Sequence, residues 1–266
     1  MTPPPPRYDH VIWIWLENHR RDQVVGSPDA PFATSLAGAC GSATDYRTVG
    51  RPSLPNYLAA TSGGTHGVQD DAPPSDHPID ADNLFRQVRR SGGSARTFAE
   101  AMPGPCTLRS EGRYAVSHNP AAYYVGADDR RFGASDDVPL GTSDDGALAG
   151  DLATGGLPTF LFVVPDVCHD THNCAVAVGD RWLAGWLGRV VGSPIYRAGT
   201  TAVFVVWDEP SPMPFLVVAP AIHPGTTTSE TLDHYALLRT TEDLLGIGAH
   251  LGAADHAPSL RPLFGM

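Results

Sequence analysis

The chain has 266 residues, with 29 acidic against 18 Lys and Arg side chains, a formal net charge of −11. That charge argues against nucleic acid or an anionic membrane surface as partner. An anionic substrate stays open, because a bound divalent cation reverses the local field. Hydrophobic residues make up 42% and charged residues 18%, enough for a sizeable core and against global disorder. The length fits one large α/β domain or two small ones, and no linker or internal repeat divides it, so a single domain over 1–266 is expected.

From the N-terminus, residues 1–9 read as a flexible Pro-rich lead. Met1 to Pro6 lacks both the basic start and the apolar middle of a signal peptide. His10–Leu16 is an unbroken apolar, β-branched run, read as a strand buried on both faces. It ends abruptly in Glu17-Asn18, the place where open α/β sheets put their ligands. Ala30–Ala39 reads as a helix and Ala43–Val49 as a short strand. Then comes Arg51-Pro52-Ser53-Leu54-Pro55-Asn56-Tyr57. Pro55 suits a first helical turn, and Ser53 reads as the N-cap, its hydroxyl beside unpaired backbone donors. Such a position can hold a phosphate or sulfate and attack it, although a plain capping serine has the same pattern.

Asp70–Asp82 reads as a loop, Asn83–Arg90 as a helix, Ala95–Phe98 as a strand and residues 126–150 as irregular. Thr159–Pro165 is a second buried strand and leads into the polar cluster Asp166–Cys174. Val178–Val191 is a helix by its apolar spacing, Thr201–Trp207 a third strand ending in Asp208-Glu209, Phe215–Ala219 a fourth, and Asp233–Leu245 a helix stopped by Gly246. Alternating strands and helices with nearly continuous apolar strands predict a three-layer α/β/α sandwich around a mostly parallel sheet. No run approaches the roughly 20 apolar residues of a membrane span, so no integral membrane segment is expected. The four cysteines fit no zinc spacing; Cys168 and Cys174 bracket a short loop that a disulfide closes in an oxidising compartment, and free thiols are the alternative.

Glu17, Asn18, Ser53, Asp208 and Glu209 offer oxygen ligands, which suit a hard divalent ion such as Mg²⁺, Ca²⁺ or Mn²⁺ better than a thiolate-bound zinc. Each acidic pair, taken alone, reads more readily as a solvated strand end or helix cap. The motifs Leu16-Glu17-Asn18, Pro52 to Ala59, Ser62-Gly63-Gly64-Thr65, His118-Asn119-Pro120, Asp170-Thr171-His172, Val178-Gly179-Asp180 and Trp207-Asp208-Glu209 run in collinear order. Together they resemble the phosphoesterase family of bacterial acid phosphatases and phospholipases C. The likeness extends from about His10 to Gly246.

The resemblance implies an alkaline-phosphatase-like fold and hydrolysis of a small phosphate ester. Glu17, Asn18, Ser53, Asp208 and Glu209 match metal-binding positions for one divalent ion (Mg, Ca, Mn or Zn), with Ser53 also the nucleophile. His118 and His172 match catalytic polar positions; Arg51, Asn119, Asp170 and His234 fall where substrate is held. Relatives are usually exported, which implies an extracytoplasmic site, with the cytoplasm as alternative. Arg51 departs from the family pattern, which usually has His, and the loop after Glu209 is shortened. The leading expectation is a phosphomonoesterase. The alternatives are a phosphodiesterase of phospholipase C type and a phosphate- and metal-binding module without turnover.

Overall fold

The structure, a computed structural model, describes residues 4–266; residues 1–3 of the expected lead lie outside the described residues. The elements, in order, are β1 (His10–Leu16), α1 (Arg21–Val24), α2 (Pro31–Ala39), β2 (Gly41–Arg47), α3 (Ser53–Ser62), α4 (Leu84–Arg90), β3 (Ala95–Ala99), α5 (Ala127–Asp136), β4 (Asp137–Pro139), α6 (Ala147–Thr154), β5 (Phe160–Val164), α7 (Val176–Gly192), α8 (Pro194–Arg197), β6 (Thr201–Trp207), β7 (Met213–Val218), β8 (Thr226–Asp233), α9 (His234–Leu244) and α10 (Arg261–Phe264).

One eight-stranded sheet runs in the order β4-β3-β5-β1-β6-β7-β2-β8. Every pairing is parallel except those of β7, which runs against both β6 and β2. The reversal has a simple cause. A parallel return needs a crossover of about a dozen residues or more, and residues 208–212 between β6 and β7 leave room only for a turn.

Side chains alternate across the central strand β1 and so define the two outer layers. Trp13 donates its indole N–H to Thr241 Oγ1 on α9 at 3.0 Å, and Trp15 packs on Tyr57 of α3. Leu16 faces the other way, onto Val24, Ala33 and Leu183. On that second face, Asp180 of α7 accepts from the backbone N–H groups of Phe32 (3.0 Å) and Ala33 (2.8 Å) and thereby caps α2. The expected three-layer sandwich is the observed one.

Two local expectations fail and one strand escapes sequence reading, each for a physical reason. Residues 126–150 are not irregular, since α5, β4 and the start of α6 lie there. No residue of α5 is buried; ion pairs hold it instead, with Arg86 on Asp129 at 2.5 Å and Arg89 on Asp129 (2.8 Å) and Asp136 (3.2 Å). An apolar stripe is therefore absent from its sequence. The edge strand β8, Thr-Thr-Thr-Ser-Glu-Thr-Leu-Asp, is mostly exposed and has no apolar alternation; its threonines suit a strand, yet period reading passes over it. The lead is anchored from Pro5 onward: Arg261 donates to the carbonyls of Pro5 and Pro6, and Tyr8 is wholly buried.

Glu242 on α9 is buried, and burial pushes its carboxyl up to about 8. Its Oε1 accepts from Leu251 N at 2.9 Å, whereas Oε2 has no partner. The folded chain thus holds a proton that the unfolded carboxyl releases near its ordinary value of about 4.3. Stability contributed by that proton is present at low pH and is lost as pH rises from about 4 towards about 8. Glu242→Gln is expected to remove this slope: the melting temperatures of variant and parent should meet near pH 4 and separate above it, with the variant higher. A parent curve parallel to the variant's across this range would refute the assignment.

Candidate active site at the carboxyl ends of the strands

The register of the sheet creates the site. Leu16 pairs with Trp207, so Glu17 and Asp208 emerge side by side where β1 and β6 end. Both are fully buried. The third component arrives from β2 through residues 48–52 into α3. Asn56 fixes that turn: its Oδ1 accepts from Thr48 Oγ1 and from the N–H groups of Val49 and Gly50 at 2.8–3.0 Å, and its Nδ2 donates to the Gly50 carbonyl at 3.1 Å. Gly50 is required by packing, since a Cβ there would lie 2.9 Å from Pro55 Cβ. Pro52, not Ser53, is the N-cap residue; Ser53 opens the helix proper. The Ser53 hydroxyl is nearly buried and donates to Glu17 Oε2 at 3.0 Å.

The group is rich in oxygen acceptors and short of donors. Glu17 Oε1 accepts from Tyr57 OH. Asp208 Oδ1 accepts from the N–H of Glu209 (2.7 Å) and of Asn18 (3.3 Å), but Asp208 Oδ2 and Glu209 Oε2 are buried with no hydrogen bond. The Asn18 side chain stands between the acids. Turned nitrogen-inward, it donates to Glu17 Oε2 at 2.9 Å and Asp208 Oδ1 at 3.1 Å, and its oxygen accepts from His172 Nε2 at 3.3 Å. Turned oxygen-inward, it adds an oxygen facing both carboxylates, the orientation a cation favours. Burial, reinforced by Asp208 and Asp170, raises the Glu17 carboxyl well above its usual range. Burial likewise lifts Asp208 to about 7, opposed by His118, and raises Glu209, opposed by Arg51. Crowded buried carboxyls, orphaned oxygens and a serine hydroxyl fit a hard divalent cation with oxygen ligands.

A short 3-10 turn, Val116–His118, between β3 and α5, and the loop after β5 together bring the histidine component. His118 lies with its Nδ1 3.1 Å from Asp170 Oδ2 and its Nε2 3.6 Å from Glu17 Oε1, and it stacks on Tyr57 at 5.5 Å and 3°. Asp170 Oδ1 accepts from His172 N at 2.7 Å, so one buried carboxylate orients both histidines. His172 itself is exposed. Thr171 closes the loop onto β1 by donating to the Glu17 carbonyl at 2.9 Å, in a positive-φ conformation (79°) that is strained for a β-branched residue. Gly179 lets α7 approach this loop: a Cβ there would meet Thr171 Cγ2 at 2.3 Å and His169 O at 2.6 Å.

Cys168 and Cys174 form a disulfide across the loop, and Cys40 and Cys106 are free. Thiol titration of the denatured protein should therefore find two reactive groups before reduction and four after. Four before reduction would deny the bridge.

The structure brings Glu17, Asn18, Ser53, His118, Asp170, His172, Asp208 and Glu209 together. It turns the polar atoms of Asn119 and His234 to other partners. Asn119 is buried and donates to Tyr114 OH (3.0 Å) and Asp137 Oδ1 (2.8 Å), partners outside the group. His234 is buried behind Asp208: its Nδ1 meets Tyr46 OH at 3.0 Å, its Nε2 meets the Asp208 carbonyl at 3.1 Å, and burial depresses it to about 4. It supports the site from beneath rather than holding substrate. Arg51 lies with Nε 3.3 Å from Glu209 Oε2. Sequence reasoning also passes over Asp71, which accepts from Leu54 N at 2.8 Å and takes up a donor at the start of α3, and over the supporting roles of Tyr57 and Asn56.

A separate grouping, Glu100, Asp166 and His169, has one ligand atom from each within 4.8 Å. Its atoms are engaged: Glu100 Oε2 faces His169 Nδ1 (2.8 Å) and Asp166 N (3.0 Å), Glu100 Oε1 accepts from Trp182 Nε1 (3.1 Å), and Asp166 Oδ1 accepts from Cys168 N and His169 N. It ties the loop to β3 and α7.

Comparison with known proteins bears on the family and the fold. A phosphatidylinositol-3-phosphatase of Mycobacterium tuberculosis is 29% identical over 98% of this chain and 84% of its own length. A phosphate-repressible acid phosphatase of Penicillium chrysogenum is 26% identical over 95% of this chain and 62% of its own. Among solved structures, a Vibrio parahaemolyticus protein of the alkaline phosphatase superfamily superposes with a TM-score of 0.63 at 14% identity, covering 98% of this chain and 72% of that one. The lipoteichoic acid synthase LtaP of Listeria monocytogenes gives 0.65 at 11% identity, over 93% and 74%. These superpositions speak for the fold alone. The model of the phosphoesterase family matches residues 14–213, a span that includes every member of the buried group. The chain therefore belongs to the phosphoesterase family, carries the fold of the alkaline phosphatase superfamily and is a phosphoric ester hydrolase.

Proposed function

We propose that the chain is a metal-dependent phosphomonoesterase in which Ser53 is the nucleophile. The observation that carries this reading is the Ser53 hydroxyl, at the start of a helix, donating to Glu17 Oε2 at 3.0 Å beside the acceptor-rich group of Asn18, Asp208 and Glu209. Ser53 Oγ attacks phosphorus, and its proton leaves along the hydrogen bond to Glu17. The bond from phosphorus to the leaving oxygen breaks as the phosphoseryl bond forms. His118, held by Asp170, protonates the departing oxygen, and His172 lies at the solvent side. Water then cleaves the phosphoseryl bond, releasing inorganic phosphate and restoring the hydroxyl. Glu17, Asn18, Ser53, Asp208 and Glu209 would hold a divalent cation, which would supply positive charge against the phosphoryl oxygens and lower the pKa of the serine hydroxyl.

The disulfide supports an oxidising, extracytoplasmic location. No helix among the described residues is long and apolar enough to cross a membrane.

The test is a substrate panel of p-nitrophenyl phosphate, bis-p-nitrophenyl phosphate and phosphatidylinositol 3-phosphate. It should be run after chelation and after adding back Mg²⁺, Ca²⁺, Mn²⁺ or Zn²⁺ singly. Monoester turnover that chelation abolishes and one ion restores is the expected outcome. Faster diester turnover selects the phospholipase C reading; binding of phosphate and metal with no turnover selects the binding module.

A further inference from the structure

We infer that Arg51 is an exchangeable counter-ion. It neutralises Glu209 while the oxygen group lacks its cation, and it passes its guanidinium to the phosphoryl oxygens once the cation is bound. The inference rests on the site reading above and goes beyond it, because it makes metal and phosphate binding mutually dependent.

The ion pair is lopsided. The Arg51 side chain is 67% exposed, whereas that of Glu209 is 14% exposed. Glu209 Oε2 is a buried oxygen without a hydrogen bond, and Arg51 Nε stands 3.3 Å away, close enough for charge but out of line for a bond. Among the described residues the ion-pair contact of Arg51 is made through Nε, and its two Nη groups have no hydrogen-bond acceptor. A half-buried carboxylate needs a counter-charge, and an exposed arginine arm supplies it without being locked in place. The arm is also tethered at the right spot. Arg51 is two residues before Ser53, and Asn56 fixes the turn between them by bonds to Gly50 and to the Pro52 carbonyl. Wherever the side chain swings, its base stays at the mouth of the site.

Cation binding reverses the electrostatic preference. Glu209 then faces a dication, and a second positive group beside it is repelled. A tetrahedral anion over Ser53 offers the guanidinium a better partner, because the planar fork matches two phosphoryl oxygens at once. Arg51 therefore opposes the metal when no anion is present and favours the anion when the metal is present. By linkage, phosphate must raise metal affinity by the same factor that metal raises phosphate affinity.

The experiment is calorimetry on the full chain, its Arg51→Gln variant and its Arg51→Lys variant, with Mn²⁺ alone and then with inorganic phosphate on the Mn²⁺-loaded protein. The exposure of Arg51 makes both variants safe for folding. For a partly exposed pair, Arg51→Gln should bind Mn²⁺ about two- to five-fold more tightly than the parent. It should bind phosphate about ten-fold or more weakly, the loss of charged hydrogen bonds. Arg51→Lys keeps the charge but not the fork: Mn²⁺ affinity should stay at the parental value while phosphate weakens. Unchanged or weaker Mn²⁺ binding in Arg51→Gln overturns the exchange even if phosphate binding falls. A parent protein that takes up no divalent ion overturns the site reading itself, a result distinct from the first.

Discussion

Ser53→Ala is expected to remove turnover while leaving the fold and the affinity for phosphate largely intact. Loss of a nucleophile that works with its neighbours as a unit costs about 10³- to 10⁶-fold in kcat, with the residue of catalysis coming from binding and electrostatics alone. The geometry makes the variant a clean one. Ser53 is the first helical residue and not the cap, so alanine is well tolerated there. The turn that presents it is fixed by Asn56 and by the contact of Gly50 with Pro55, neither of which uses the hydroxyl. The melting temperature should therefore move little. Rapid acid quench during turnover of a ³²P-labelled monoester should leave label on the parent chain and none on the variant. A variant that keeps most of its turnover, or that is still labelled, would show that another group attacks phosphorus.

Much of this architecture is legible in the sequence, because buried parallel strands are apolar throughout and end abruptly. His10–Leu16 and Thr201–Trp207 announce both their burial and their ends, and the acids follow at once. Sheet register then does the rest, setting Glu17 beside Asp208 from positions 191 residues apart. What is not legible divides by cause. The helix α5 is held by arginine–aspartate pairs and β8 by its place at an edge, so neither has the apolar period that sequence reading follows. Asn119 and His234 share motifs with residues of the buried group, yet adjacency in a motif does not say which way a side chain turns. His118 points to Glu17 and Asp170, while its neighbour Asn119 turns to Tyr114 and Asp137. His234, as the first residue of α9, is capped from Asp233 and buried under Trp15. Its low proton affinity follows from that burial, which only the fold reveals.

Asp208→Asn carries the second large effect, and its sign should reverse with metal. In the protein without a cation, Asp208 is a fully buried carboxyl next to Glu17 and Glu209, with Oδ2 unpaired. Its ionisation is resisted by burial and by like charge, so it weakens the fold near neutral pH. The neutral amide keeps the shape, keeps an acceptor for the N–H groups of Asn18 and Glu209, and removes the charge. After exhaustive chelation, Asp208→Asn should therefore melt at or above the parent temperature. With metal the order changes. Removing a proposed direct anionic ligand should weaken divalent-ion binding by more than the roughly 10- to 100-fold typical of supporting partners. The parent, at a metal concentration about 100 times its dissociation constant, gains about 2.7 kcal/mol of stability. The variant at the same concentration gains little and should melt below the parent. The crossing of the two curves separates a ligand from a structural acid, since a structural Asp208 would leave the variant less stable in both conditions. It also needs no substrate, so it reads the site even where turnover is absent. Parallel melting shifts with and without metal would remove Asp208 from the proposed ligand set.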